Sequence, residues 1–137
     1  MTISGRVNSI RAAVAALNSG NIDGYLQHFD PACQRWVSGL EQPLSLGNIR
    51  DGIQHLYGAF EALYLHEDLL FGNEQFVCAR WRLRGVHVKD YMGIAPTRRE
   101  IDTQTCEVYE FRGELVVATW SYGDPGQMFR QIGATAK

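Results

Sequence analysis

The sequence has few cysteines: Cys33, Cys78 and Cys106 are its only three, odd in number and too scattered for a disulfide framework. Buried reduced thiols are the expected state. No Cys-x-x-Cys or His-x-x-x-His spacing occurs, and His28, His55, His66 and His87 are dispersed, so local spacing points to no metal site. It also lacks an excess of one charge. A formal net charge of -2 sets up no field that would gather nucleic acid or acidic lipid, so neither is an expected partner. Long apolar runs are missing too, and Met1 to Arg6 has no basic start of a secretory leader; a cytoplasmic protein with no membrane segment is expected.

What remains is an ordinary globular composition, with 45% hydrophobic and 20% charged residues in 137 positions, enough for one domain over 1–137 with its own core. Val7, Ile10, Ala13, Val14 and Leu17 recur at helical spacing and predict a first helix, stopped by Ser19-Gly20-Asn21. A short second helix is expected from Ile22 to Phe29, with a break at Asp30-Pro31, because proline disfavours helical geometry in the residue before it. Gln34 to Ser38 reads as a short strand. Ser45 to Glu61 reads as a longer helix, with Ile49, Ile53, Leu56, Tyr57 and Phe60 on one stripe.

From Leu63 onward the pattern changes. Leu63–Phe71, Gln75–Val88, Glu100–Phe111 and Leu115–Tyr122 are rich in β-branched and aromatic residues and are separated by turn signals, including Arg112-Gly113. Within Ala79–His87 the alternation sends Arg80, Arg82 and Arg84 to one face and Trp81, Leu83 and His87 to the other. Asp124-Pro125-Gly126 leads into a final turn or helix ending near Ile132. Helices followed by a run of long strands give an α+β domain: three helices on a strongly curved, mainly antiparallel sheet of four to six strands, with a pocket between them.

The stretch from Gly47 to Gly133 resembles the SnoaL-like polyketide cyclase family of the nuclear transport factor superfamily. The resemblance rests on an ordered set: the helix Ile53–Phe60, Cys78-Ala79-Arg80-Trp81, Gly85-Val86-His87, Met92 to Thr97, Phe111-Arg112-Gly113-Glu114 leading to Trp120, and Asp124 with Arg130-Gln131-Ile132-Gly133. It implies a cone-shaped α+β barrel and, in the ring-closing members, an intramolecular aldol condensation with no cofactor. Two departures stand out. The family's acid/base aspartate falls on Ser121, and its glutamine and histidine fall on Gln104 and Cys106, so the glutamine is kept and the histidine is lost. A second family aspartate matches Asp124, which a shift of hairpin register would bring into service. Other branches of the family are linked to hydroxylation.

The candidate catalytic residues are therefore Asp124, His87, Gln104 and Ser121. Asp124 reads either as a turn or N-cap residue or as an acid/base. His87, alone on an apolar strand face, reads either as a hydrogen-bonded core residue or as the proton-transfer group. Gln104 would orient substrate, and Ser121 would line the cavity. Trp36, Tyr57, Phe60, Trp81, Tyr91, Cys106 and Trp120 are the candidate substrate-binding residues, the aromatics among them serving either as pocket wall or as plain core. Met92 to Arg99 reads as a lid over the pocket mouth or a plain connector.

The expected ligand is a small apolar aromatic or polyketide-like molecule. A homodimer is expected on resemblance, with the outward arginines interleaving with acids such as Asp102 and Glu107 of a second copy. Three functions remain open: a cofactor-independent cyclase or isomerase, a related hydroxylase or accessory component, and a non-catalytic binding protein.

Overall fold

A computed structural model of the chain describes residues 1–133. Helix α1 (Ile3–Asn18) starts where the Thr2 hydroxyl accepts the Gly5 N–H, and it buries Ile10, Ala13, Val14 and Leu17 at the predicted spacing. It ends at Ser19, followed by Gly20 at φ +82°, a conformation that favours glycine. Helix α2 (Ile22–Leu26), capped by Asn21, is three residues shorter than predicted.

Gln27 and His28 form a turn, and Phe29 already belongs to a strand. β1 (Phe29–Val37) begins where a helix end was expected, and Asp30-Pro31 lies inside it. Two features make this possible: β1 is an edge strand, and its parallel ladder to β5 is irregular between Phe29 and Gln34, so the N–H that Pro31 lacks leaves no regular ladder bond unmade. The chain then enters α3 (Leu46–Ala59) through a capping box in which Ser45 and Asn48 satisfy each other's backbone N–H. This helix stops two residues early because Phe60 and Glu61 already pair with His87 and Val86.

The four predicted strands are present as β2 (Phe60–Gly72), β3 (Phe76–His87), β4 (Glu100–Arg112) and β5 (Leu115–Tyr122), followed by a short α4 (Gln127–Gln131). The sheet order is β1-β5-β4-β3-β2, antiparallel throughout except for the β1–β5 pair. Irregular registers in β1 and β2 bend it. Gly85 faces the irregular stretch of β2, where a Cβ would lie 2.7 Å from Leu63 Cδ1 and 3.3 Å from the Glu61 carbonyl, so a larger residue would push β2 away.

Strand parity on β3 is as expected: Ala79, Trp81 and His87 are buried, while Arg80 and Arg84 are exposed. The outward arginines have acidic neighbours within the chain, and one acid expected to meet them lies on the other face. Asp68 and Asp102 lie 3.7 and 3.6 Å from Arg82 of the same chain, and Glu107 points to the opposite face.

One cluster packs α1, α2 and α3 against the inward faces of β3 and β4, around Ile10, Leu17, Tyr25, Trp81 and Tyr109. A second, around Phe60, Leu63, Ile101 and Ile132, fills the other end of the sheet.

Two unpaired strand edges are closed by side-chain amides acting as surrogate strands. On β2, the Asn18 side chain accepts the Leu65 N–H at 2.8 Å and donates to the Leu65 carbonyl at 3.0 Å. On β4, which β5 accompanies only from Cys106 onward, Gln131 accepts the Asp102 N–H at 2.7 Å and donates to the Asp102 carbonyl at 2.8 Å. The Asn18 bonds lie out of full solvent contact, so removing them leaves a backbone pair poorly hydrated. Asn18→Ala is expected to lower stability by about 1–3 kcal/mol, read from the midpoint of a urea unfolding curve at unchanged m. A change within experimental error would show that water replaces the amide at no cost.

Candidate functional site

The helices and the concave side of the sheet enclose a cavity of about 350 Å³. Period-two alternation on β4 brings Thr103, Thr105, Glu107 and Tyr109 to its wall, and the helical stripe of α3 adds Ile49, Ile53, Leu56 and Tyr57. Leu17, Leu44, Leu65 and Leu83 extend the apolar lining, which makes the site suited to a mainly apolar ligand. Pro125, Gln127 and Met128, on α4 and the turn before it, border the cavity at its exposed side.

Its inner end is polar. Arg35 of β1 holds Glu107 of β4 in a two-point ion pair, Nη1 to Oε2 at 2.8 Å and Nη2 to Oε1 at 2.6 Å. The two residues are not on neighbouring strands: Arg35 is in register with Thr119, and Glu107 with Ser121, so the pair reaches across β5. Small side chains on β5 leave that crossing open. Ser121, found where ring-closing relatives are expected to carry an acid, is thus buried beside an ion pair that already supplies a carboxylate.

Burial and the Glu107 charge together shape the neighbouring groups. Burial pulls the Arg35 pKa down, but the charge of Glu107 and its hydrogen bonds raise it further, and the guanidinium stays a cation. Tyr25 and Tyr109 are held well above the usual phenol range, first by burial and then by the Glu107 carboxylate. Tyr109 accepts a hydrogen bond from Trp81 Nε1 at 2.9 Å. Burial pushes Tyr57 up to about 12, and its hydroxyl is out of solvent contact with no partner among the described residues. Such a hydroxyl meets a ligand only if the cavity wall shifts to expose it.

Of the residues singled out from sequence, Tyr57, Gln104 and Asp124 border this cavity. Gln104 sits at its exposed margin, on the outward parity of β4, with its N–H given to Gln127 at 3.3 Å. Asp124 is half exposed, paired with Arg130, and accepts the Gly126 N–H at 2.9 Å. Its carboxyl is lowered, first by the Arg130 hydrogen bond and then by the Gly126 N–H. Asp124 thus sits in the turn before α4, with its carboxylate on the Gly126 N–H. Ser121 and Asp124 meet at a side chamber of about 70 Å³ with Thr105 and Pro125.

The others do not line the cavity. His87 is fully buried in the second cluster, its Nδ1 accepting the Thr97 N–H at 3.2 Å and lying 3.0 Å from the Thr97 hydroxyl, its ring 5.2 Å from that of Phe60. Phe60 and Tyr91 belong to the same cluster, with Tyr91 edge-on to Phe60 and stacked on Phe129. Trp81 is core beneath the cavity wall. Trp36 and Trp120 are register neighbours on the outward face, since Arg35 takes the inward position of β1 and Thr119 and Ser121 those of β5. Cys106 faces outward beside Cys78. The segment expected as a lid forms a tight turn, Tyr91 to Ile94, against the second cluster, and α4 with its preceding turn borders the cavity instead.

Arg35, Tyr25 and Tyr109 escaped the sequence reading, and Glu107, expected opposite the outward arginines of a second copy, faces inward. A signal for Glu107 was present: Ile101, Thr103, Thr105, Tyr109 and Phe111 share its parity, so a charge stands in a set otherwise free of charge. Arg35 had a weaker one, its parity with Cys33 and Val37. Among the described residues, no three His, Cys, Asp or Glu side chains converge to hold a metal ion.

The sequence profile of the SnoaL-like polyketide cyclase family matches residues 8–132. No functionally curated protein matches. Among solved structures, AclR of Streptomyces galilaeus, called a hydroxylase, has a TM-score of 0.89 at 20% identity, covering 98% of this chain and 100% of that one. IdmH of Streptomyces antibioticus, called a polyketide cyclase, has a TM-score of 0.79 at 21% identity over 92% and 96% of the two chains. A SnoaL-like protein of a Jannaschia species gives 0.84 at 14% identity over 97% and 94%. At these identities the likeness establishes the fold.

Two outcomes follow from the site's electrostatics. Arg35→Ala leaves Glu107 buried without its cation and is expected to cost about 3–5 kcal/mol in chemical denaturation, whereas the double change Arg35→Met with Glu107→Leu costs far less. A mild effect of the single change would mean that water reaches the pair. The lowered Asp124 carboxyl makes the Arg130 tether fully effective above its ordinary value of 3.8, and lost only as pH falls through the lower folded value. A carbon-detected NMR titration should place the Asp124 midpoint below those of unpaired aspartates; a midpoint above them would contradict the tether.

Proposed function

Because the chain belongs to the SnoaL-like polyketide cyclase family, we propose that its cavity takes a flat, apolar, carbonyl-bearing molecule of polyketide type and moves a proton on it without a cofactor. The outcome is ring closure by intramolecular aldol condensation, or isomerisation. One observation carries the reading: the apolar cavity is lined by a carboxylate and a guanidinium that both lie mostly out of solvent.

Each group has a role that its chemistry permits. Arg35 spends one hydrogen of each Nη on Glu107 and keeps its Nε–H and outer Nη hydrogens, which supply donors to a carbonyl oxygen. Such donors stabilise the charge that develops there when the adjacent carbon loses its proton. Glu107 accepts from Arg35 through one lone pair on each oxygen, and a second lone pair receives the proton. The enolate carbon then attacks a second carbonyl, the new C–C bond closes the ring, and the proton passes to the resulting alkoxide. The leucine and isoleucine walls keep water from competing.

The likeness to a protein called a hydroxylase and the serine at position 121 favour a second reading, hydroxylation of the same class of ligand. It requires oxygen consumption that depends on the ligand, with or without a partner reductase.

For the first reading, Glu107→Gln keeps the shape of the pair and removes the base. It is expected to slow solvent-deuterium exchange, or ring closure, of an aromatic ketone substrate by about 10²-fold or more, with ligand affinity, measured by calorimetry, changed only a few-fold. If Glu107→Gln leaves the rate untouched while Asp124→Asn abolishes it, the base lies at the mouth and this assignment fails. Tight binding with no exchange in the unaltered protein would leave a carrier.

A further inference from the structure

The outward face of the two central strands carries a pair of thiols that the cavity chemistry does not use. Cys78 on β3 and Cys106 on β4 have their sulfurs 3.8 Å apart, both half-buried and both free. They are diagonal neighbours: Cys78 is in register with Val108, and Cys106 with Arg80. Arg80 is thus the ladder partner of Cys106, while its Nε lies 3.9 Å from the Asp68 carboxylate on β2. The third cysteine, Cys33, lies on the other face of the sheet, in the core cluster.

We propose that Cys78 and Cys106 form a reversible, peroxide-responsive dithiol site. The sulfur of Cys106 attacks a hydroperoxide: an S–O bond forms, the O–O bond breaks, and the alcohol, or water when the oxidant is hydrogen peroxide, leaves with the thiol proton. Cys78 then attacks the resulting sulfenic acid, the S–S bond forms and water leaves. Two thiols are oxidised and one peroxide is reduced. Burial first, and the contact with Cys106 second, raise the Cys78 thiol, which suits it to the second, resolving step.

Diagonal pairs across antiparallel strands stand farther apart than the spacing a relaxed disulfide prefers. The bond is therefore strained and easily reduced, the behaviour of a responsive rather than a structural bridge. Cys106 is the chain neighbour of Glu107, so closing the bridge acts on the strand that carries the buried pair. The site stands independently of the proposed reaction.

The test uses the full native chain treated with hydrogen peroxide, then intact-mass measurement and peptide mapping. The expected result is loss of the mass of two hydrogens, a peptide linking Cys78 to Cys106, and full recovery with dithiothreitol. Cys33→Ser should behave identically, whereas Cys78→Ser should keep one oxygen on Cys106. Thiols that stay unmodified until the protein is unfolded, or bridges that form only between chains or to Cys33, overturn the proposal.

Discussion

A single buried ion pair, Arg35 with Glu107, is the constraint around which the interior is arranged. It bridges β1 and β4 over the intervening β5, and so joins an edge strand to the centre of the sheet where backbone pairing cannot. Taking two such charges out of water costs more than it returns unless the geometry is close to ideal. Here both carboxylate oxygens are met, and both partners lie mostly out of solvent. The same pair acts on its surroundings: its carboxylate adds to burial in keeping Tyr25 and Tyr109 protonated, so the inner end of the cavity presents phenols rather than phenolates.

The cavity exists because the sheet is bent and its edges are closed without further strands. Asn18 and Gln131 each satisfy one backbone N–H and one carbonyl, as a residue of an added strand would. Gln131 thereby fixes α4 against the exposed half of β4, and α4 brings Met128 to the cavity. Two side-chain amides thus satisfy, on two different strands, backbone groups that a neighbouring strand would otherwise pair.

The elements themselves were legible because periodicity is a local property. The stripe of α1, the stripe of α3 and the alternation on β3 each follow from spacing in the chain and from nothing distant. The misreadings came where a distant partner overrode a local preference. Proline at position 31 marks a helix end in isolation, yet an edge strand with an irregular ladder accommodates it. Trp36 looked like a pocket wall because aromatics dominate buried area, but its neighbour Arg35 takes the inward position.

The sequence by itself determined an α+β fold, the order of its long helices and strands, and the inward face of β3, since these depend on side chains a few residues apart. It left Asp124 open between a turn residue and an acid/base. Which residues share the cavity was decided only by tertiary structure. Residues 35 and 107 are 72 positions apart, and they meet because the register of β5 against both β1 and β4 sets them facing across it. Strand register is fixed by packing of the whole sheet, and no local pattern encodes it.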